Sequence, residues 1–262
     1  MSDTHPSVQN LLNFKNKTVL VTGASGGIGQ VTAKRFAEAG AKVIVHYNSN
    51  KKSADECVQE ITQNGGDAFA MQARLDDEGE VSAMFAEVFK DNDKLGVLIN
   101  NAGGFPNKDF LSMSISEWRD MFASNLDSAV LCSQNAGRHM KNNGGGAIVN
   151  ISSIAALSPG PDHSHYNSAK AAMLMMTKSA AQELGPFGVR VNAVSPGVVY
   201  REGLEDVWPE GLERWSSKAP LGGLGTALDV ADACLFLASP AARYITGSNI
   251  PVEGGMMAAS IY

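Results

Sequence analysis

The pattern with the most chemical content is Tyr166-Asn167-Ser168-Ala169-Lys170. Residues four apart on a helix lie one turn apart on the same face, so a phenol and an ammonium meet there. A cation beside a phenol favours its ionised form, and a phenol that readily gives and takes a proton is a general acid and base. Moving a tyrosine from its usual pKa of about 10 to near neutrality takes roughly three units, or about 4 kcal/mol. One solvent-exposed neighbour does not supply that; a buried lysine with a second cation close by does. The approach to the pair is a short apolar run, Ala147 to Ile151, then Ser152 and Ser153, then a loop with Pro159, Pro161, His163 and His165. Singly, each residue has an ordinary reading: the serines as turn formers at a strand end, and Tyr-x-x-x-Lys as a chance spacing.

A second chemical feature lies near the N-terminus. The β-branched run Thr18 to Val21 leads into Thr22-Gly23-Ala24-Ser25-Gly26-Gly27-Ile28-Gly29 and then a helical pattern. Glycines between a strand and a helix let the backbone approach a pyrophosphate lying on the helix N-terminus. The spacing here is G-x-x-x-G-x-G rather than G-x-G-x-x-G. The same residues also fit G-x-S-x-G, the nucleophile elbow of α/β-hydrolases, with Ser25 as nucleophile. That reading needs an oxyanion donor from an earlier loop, only residues 1–17 precede the strand, and Tyr166 and Lys170 would stay idle.

The end of the second strand bears on which dinucleotide fits. NAD sites tend to place a carboxylate about 20 residues past the glycines, on the ribose 2′-hydroxyl. Here the chain reads His46-Tyr47-Asn48-Ser49-Asn50-Lys51-Lys52, with no acid before Asp55. Hydroxyl, amide and ammonium groups suit a 2′-phosphate better. The expectation is NADP(H), with NAD(H) the second choice; the alternative is that Lys51 and Lys52 only solvate a helix start.

These features need a frame to position them. The pattern predicts strands at 18–21, 42–46, 68–72, 97–99, 147–151, 189–194 and 245–252. It predicts helices at about 30–39, 51–64, 77–89, 116–141, 166–184 and 227–238. Ser53 with Glu56 and Ser114 with Glu117 have capping-box spacing. Residues 198–226 read as irregular. Strands alternating with helices imply a Rossmann-type α/β fold, a doubly wound parallel sheet between two helical layers. Residues 1–14 read as a loosely held arm and 15–262 as a single dinucleotide-binding catalytic domain.

Bulk properties fit that frame. The chain has 262 residues, a formal net charge of −6 and 44% hydrophobic residues. A chain of this size buries enough surface to fold without disulfides or metals. Its three cysteines, Cys57, Cys132 and Cys234, match no zinc or redox spacing and suit a reducing compartment. The polar start has no signal-peptide pattern, and no apolar run is long enough to span a bilayer. The acidic balance and the lack of a basic stripe argue against nucleic acid. Asp162, His163 and His165 do not make a full ligand set, so no metal is expected; their position favours substrate contact. The expected location is the cytoplasm.

Taken in order, Thr22 to Gly29, Asn100-Asn101-Ala102-Gly103, Asn125, Ser153, Tyr166-x-x-x-Lys170 and Pro196-Gly197 make the chain resemble the short-chain dehydrogenase/reductase family. The pattern is close to 3-oxoacyl-reductase-like and glucose-dehydrogenase-like members, and the likeness runs from about Lys15 to Gly255. The resemblance implies a seven-stranded sheet of order 3-2-1-4-5-6-7 and hydride transfer between a nicotinamide cofactor and a small carbonyl or alcohol. Tyr166 would be the general acid or base, and Lys170 would hold the nicotinamide ribose and lower the tyrosine pKa. The oxidised nicotinamide would be the second cation. Ser153 would hydrogen-bond the substrate oxygen, and Asn125 would hold a water that links Lys170 to solvent. Cofactor contacts would come from Gly23, Ser25, Gly27, Ile28, Gly29, Tyr47, Asn48, Ser49, Arg74, Leu75, Asn101, Ala102, Gly103, Tyr166, Lys170, Pro196, Gly197 and Val199.

Two positions depart from the family pattern. Arg74 stands where an acid usually meets the adenine amine, and Arg201 stands where a threonine often meets the cofactor. Arg74 could stack on adenine or reach the ribose phosphate, and Arg201 adds a cation near the pocket that would favour an acidic substrate. Phe105, Trp208, Trp215 and Met256 are candidate pocket walls. Helices 116–141 and 166–184 are apolar on more than one face, and family members pair them across a two-fold axis. A homotetramer is therefore expected, with a dimer next. The rival from another class is a non-catalytic dinucleotide-binding, redox-sensing regulator, which would not need Ser153, Tyr166 and Lys170.

Overall fold

Strand β1 (Thr18–Val21) is buried along its whole length, as a continuous β-branched and apolar run at the centre of a parallel sheet must be. In the computed structural model, which describes residues 6–90 and 94–258, the chain then alternates as the pattern predicts. The elements are α1 (Gly27–Glu38), β2 (Lys42–Tyr47), α2 (Lys51–Gln63), β3 (Asp67–Gln72), α3 (Glu78–Val88), β4 (Leu95–Asn100), α4 (Ile115–Phe122), α5 (Ser128–Asn142), β5 (Gly146–Ile151), α6 (Ser164–Leu184), β6 (Val189–Pro196), α7 (Leu204–Val207), α8 (Pro209–Lys218), α9 (Ala227–Ala238) and β7 (Asn249–Val252). Residues 1–5 of the expected arm and 259–262 of the expected domain lie outside the described residues.

The strands form one seven-stranded parallel sheet in the order β3-β2-β1-β4-β5-β6-β7. Side chains alternate across it. Val19 and Val21 point into one core with Phe36 of α1, Cys57 and Ile61 of α2, and Cys234 and Leu237 of α9. Leu20 points the other way, into a core with Phe85 of α3, Cys132 and Met140 of α5, and Ala181 of α6. Each large apolar side chain so enclosed contributes on the order of 1.5–3 kcal/mol. All three cysteines are free and buried.

Several local expectations are corrected. Helix α1 begins at Gly27 rather than Gln30, because Gly26 is extended and the glycines themselves form the entry to the first turn. Helix α2 is capped by Asn50, whose side chain accepts from the Ser53 N–H, so the Ser53/Glu56 box does not form. The Ser114/Glu117 box does form, at the start of α4. The predicted helix 116–141 is broken by a π turn at Ala123–Asp127. The last strand covers only Asn249–Val252, and the irregular stretch 198–226 contains α7 and α8. Phe14, the end of the expected loose arm, is a core residue whose ring packs edge-on against Phe36 at 5.0 Å.

A buried polar chain ties the middle of the sheet to the helices behind it. Asn100 at the end of β4 donates to Asn150 Oδ1 of β5 at 2.8 Å and to Ser133 Oγ of α5 at 2.9 Å. Asn150 donates in turn to Thr177 Oγ1 of α6 at 2.8 Å. Breaking such a chain leaves a buried polar group unpaired, which fixes β4, β5, α5 and α6 in one arrangement.

Candidate active site

In open parallel sheets ligands bind beyond the carboxyl ends of the strands, and the singled-out residues gather there. The glycine turn follows β1. Gly23 has φ +63°, and a Cβ on it would lie 2.9 Å from the Cα of Ala102. The turn is therefore pressed against the chain leaving β4. Thr22 Oγ1 accepts from the N–H groups of Asn101 and Ala102 at 2.9 and 3.0 Å. The Asn101 side chain donates to the carbonyls of Thr22 and Gly23 at 2.9 and 3.1 Å. A Cβ on Gly29 would lie 2.4 Å from that same amide nitrogen. Asn101 thus staples the turn with its side-chain amide.

At Gly26 and Gly27 the opposite holds. An added Cβ would meet nothing within 4 Å, and no side chain caps α1. The helix N-terminus presents backbone N–H groups and its positive dipole end to open space, which suits a pyrophosphate. The residues present therefore fit a dinucleotide at this turn. Ser25 and Ile28, both half-buried, flank the opening. Among the described residues Ser25 has no hydrogen bond to a histidine or carboxylate, so the elbow reading lacks its partners.

The second half of the site is built by β5, α6 and the π turn. The side-chain hydroxyl of Ser152 donates to the Lys170 carbonyl at 3.0 Å, joining strand to helix. Lys170 is 4% exposed, and its ammonium donates to the Ile151 carbonyl at 2.8 Å. Burial lowers its pKa from the usual 10.5 to about 8. The π turn carries Asn125 inward to 1% exposure. Its Nδ2 donates to the Gly104 carbonyl at 2.9 Å, while its Oδ1 is buried without a partner. A Cβ on Gly103 would lie 2.3 Å from that oxygen and 3.7 Å from the Lys170 nitrogen. Only glycine fits between them.

The Lys170 nitrogen lies 5.7 Å from the Tyr166 ring centre. Burial pushes the Tyr166 phenol up, and a hydrogen bond with Ser153 partly offsets this. Ser153 itself is held in extended backbone and accepts from the Ala155 N–H at 3.1 Å. The ring of Phe105 is 6.2 Å from that of Tyr166, and the ring of His163 is also 6.2 Å away, edge-on. His165 is buried with its Nδ1 unpartnered. Of the two histidines, His163 therefore faces the phenol. Among the described residues no cluster of three or more metal-ligand side chains occurs.

A family model described as Enoyl-(Acyl carrier protein) reductase matches residues 23–257. A 3-oxoacyl-[acyl-carrier-protein] reductase of Staphylococcus aureus is 40% identical over 240 residues, covering 92% of this chain and 98% of that one. The chain belongs to the short-chain dehydrogenase/reductase family. An L-rhamnose 1-dehydrogenase (NAD(P)(+)) of Azotobacter vinelandii is 39% identical over 249 residues, 92% of this chain and 96% of its own. A solved 7α-hydroxysteroid dehydrogenase, complexed with NADH and 7-oxo glycochenodeoxycholic acid, superposes with a TM-score of 0.91 at 36% identity. That match covers 95% of this chain and 98% of the other. The protein is accordingly an NAD(P)-dependent oxidoreductase of the hydride-transferring kind that acts on small molecules.

At the adenosine end of this short-chain dehydrogenase/reductase, several expected contacts have partners within the chain. Leu75 packs in the α3-side core, so only its backbone is free to meet a cofactor. Arg74 is exposed but paired with Asp76 at 3.1 Å. Lys51 and Lys52 pair with Asp55 and Glu56 at 2.6 and 3.8 Å. Tyr47 packs against the α1-side core, while Asn48 and Ser49 are exposed. At the nicotinamide end, Pro196 is buried. Gly197 lies against Trp215, whose ring would be 2.7 Å from an added Cβ. Val199 bridges to Gly225.

The residue that sequence reasoning missed is His46. Its Nδ1 accepts from the Gly23 N–H at 3.0 Å, and its Nε2 lies 3.1 Å from the Ala73 carbonyl, to which it donates. One neutral imidazole thus ties the glycine turn to the ends of β2 and β3. The available signal was a polar residue closing an otherwise apolar strand run, Val43-Ile44-Val45-His46.

Burial holds the folded-state pKa of His46 at about 4, below its usual 6.5. Between those values the unfolded chain binds a proton that the folded chain excludes. This contribution is therefore complete above about pH 6.5 and is lost as pH falls toward 4, amounting to about 3 kcal/mol. We expect His46→Asn, which keeps an acceptor for Gly23, to flatten the pH dependence of urea-unfolding free energy in that window. Equal slopes in variant and wild type would contradict the assignment.

Proposed function

We propose that the protein interconverts a small-molecule carbonyl and its alcohol using NADP(H), with Tyr166 as the group that gives or takes the proton. The observation that carries this reading is the convergence, at one end of the sheet, of a buried Lys170, the unpartnered Asn125 oxygen, Ser153 and Tyr166, next to an uncapped α1. A dinucleotide held at the glycine turn would supply the hydride chemistry and, when oxidised, a positively charged ring.

The chain's own residues supply the rest. The Ser153 hydroxyl donates to the substrate oxygen and positions it beside Tyr166. In the reductive direction the Tyr166 hydroxyl delivers its proton to that oxygen as carbon–hydrogen bond formation places negative charge there. The Lys170 ammonium, 5.7 Å from the phenol ring, stabilises the phenolate left behind. The unpartnered Asn125 oxygen would hold a water through which the proton is replaced; a buried polar site with nearby donors is where such a water is retained. Gly103 keeps a side chain out of the space between the Asn125 oxygen and the Lys170 ammonium.

The remaining proposed cofactor contacts run from the turn (Ser25, Gly27, Ile28) through Tyr47, Asn48, Ser49, Arg74, the Leu75 backbone, Ala102, Pro196, Gly197 and Val199. NADP(H) is favoured because β2 ends without a carboxylate. The cations near that end, Lys51, Lys52 and Arg74, are in exposed ion pairs. Such pairs are worth about 1 kcal/mol or less, so a phosphate can displace them. We further propose that residues 15–262 act as one catalytic unit and that the protein is cytoplasmic, in keeping with its three free cysteines. Among the described residues no helix is long and apolar enough to cross a membrane. Exposed Ile115 at the start of α4 and Met175 of α6 support pairing of these helices in a homotetramer, with a dimer as the second choice; sedimentation equilibrium reads this directly.

Two expectations follow. Tyr166→Phe should lower turnover at least a hundredfold across a panel of ketones while changing NADPH affinity less than about threefold. Retention of more than a tenth of wild-type turnover would remove Tyr166 from the role. In the wild type, kcat/KM for NADPH should exceed that for NADH by roughly tenfold or more, and Asn48→Asp should reverse the preference by placing a carboxylate against the 2′-phosphate. Equal or better use of NADH by the wild type would refute the NADP(H) assignment.

A further inference from the structure

The cation at position 201 has a specific setting. Its guanidinium carbon sits 5.5 Å from the ring centre of Phe105, and that ring is 6.2 Å from the ring of Tyr166. The two separations together put the guanidinium carbon no more than about 12 Å from the Tyr166 ring centre, within reach of an organic acid a few carbons long that hydrogen-bonds at both ends. Phe105 and Arg201 come from different segments, the chain leaving β4 and the chain leaving β6. Their cation–ring contact brings a positive charge over one wall of the space beside the phenol.

Arg201 is exposed, and among the described residues it has no carboxylate partner. Three acids lie close in sequence, Glu202, Glu205 and Asp206, but they act on Tyr200. The Tyr200 hydroxyl donates to Glu205 at 3.3 Å, and the negative charge of Glu205, with the other two, pushes that phenol up. The other cations singled out at this end of the sheet, Lys51, Lys52 and Arg74, are all in ion pairs. A guanidinium can sit over an aromatic ring and still offer N–H groups, and it matches a carboxylate with two parallel hydrogen bonds. The backbone on either side is fixed as well. The Tyr200 N–H donates to the Gly225 carbonyl at 2.8 Å, and the Leu204 N–H to the Arg201 carbonyl at 3.1 Å.

We propose that Arg201 is a specificity-determining residue that receives a carboxylate at the far end of the substrate, so that the site prefers oxo acids or hydroxy acids over neutral analogues. The proposal rests on the placement of the reacting carbonyl at Tyr166 given under Proposed function. The alternative use of this cation is on the cofactor. Its contact with Phe105 ties it to the phenol rather than to the glycine turn, and the test separates the two uses.

The probes are acetoacetate, levulinate and 5-oxohexanoate, each beside its methyl ester. Binding is measured by calorimetry to the full-length protein saturated with NADP+, and turnover is measured with NADPH. For at least one pair the acid should bind and react better than its ester. Arg201→Ala should lower kcat/KM and affinity for that acid roughly tenfold or more, the scale of a hydrogen-bonded charge pair. It should change the ester and the NADPH dissociation constant less than about threefold, and Arg201→Lys should restore part of the loss. Equal losses on acid and ester, weakened NADPH binding in Arg201→Ala, or no preference for any acid would overturn the proposal. Tyr166→Phe run alongside keeps the two ideas apart. If it turns over ketones normally while Arg201→Ala still loses the acid, the proton-donor assignment fails and the carboxylate site stands.

Discussion

The constraint on which the site depends is the burial of one ammonium group. Lys170 is almost wholly enclosed and has one hydrogen-bonded carbonyl, that of Ile151. Removing a charge from water is expensive, and one neutral acceptor does not compensate for it; the fall of its pKa to about 8 expresses that cost. The same burial that strains Lys170 raises Tyr166. In the free protein, then, the phenol is further from ionisation than an ordinary tyrosine, despite the nearby cation. A low local dielectric strengthens any further positive charge brought close. Under the proposed function, a charged ring placed beside this site would therefore bring the phenol down.

The fold supplies that arrangement through a few fixed couplings. The π turn between α4 and α5 puts Asn125 beside Gly103 and the lysine. Ser152 locks the first half of α6 to the end of β5, and the Asn100–Asn150–Thr177 chain fixes the helix further along. On the other side of the site, His46, Thr22 and Asn101 hold the glycine turn by hydrogen bonds rather than by its own sequence. Two rigid halves are thus set at a defined separation, with the open space at Gly26 and Gly27 on one side and the phenol on the other.

Much of this was legible in the sequence. The alternation of apolar runs and helical periods gave the sheet, because parallel strands buried on both faces leave few other solutions. Tyr166 and Lys170 could be marked from their types and spacing, and Ser153 and Asn125 from the family resemblance that the ordered motifs carry. What escaped was the set of residues whose importance is geometric. His46 looked like part of a strand, and its role exists only because Gly23 and Ala73, distant in sequence, converge on its ring. The break at Ala123–Asp127 has no proline or glycine to announce it. Arg74, Lys51 and Lys52 looked like free cations until their carboxylate partners were located. Leu75 gave no sign that its side chain belongs to the core, which leaves its backbone for the proposed cofactor contact.

The central claim is that the phenol is held up in the free protein and brought down only when the dinucleotide completes the site. Titration of [13Cζ]tyrosine-labelled protein by NMR tests it most directly, with the Tyr166 resonance assigned by its loss in Tyr166→Phe. The account predicts an apparent pKa for Tyr166 above the ordinary value of about 10 in the free protein, and a fall of one unit or more when NADP+ saturates the site. A Tyr166 pKa already below that ordinary value in the free protein, or one that does not move when NADP+ binds, would contradict it.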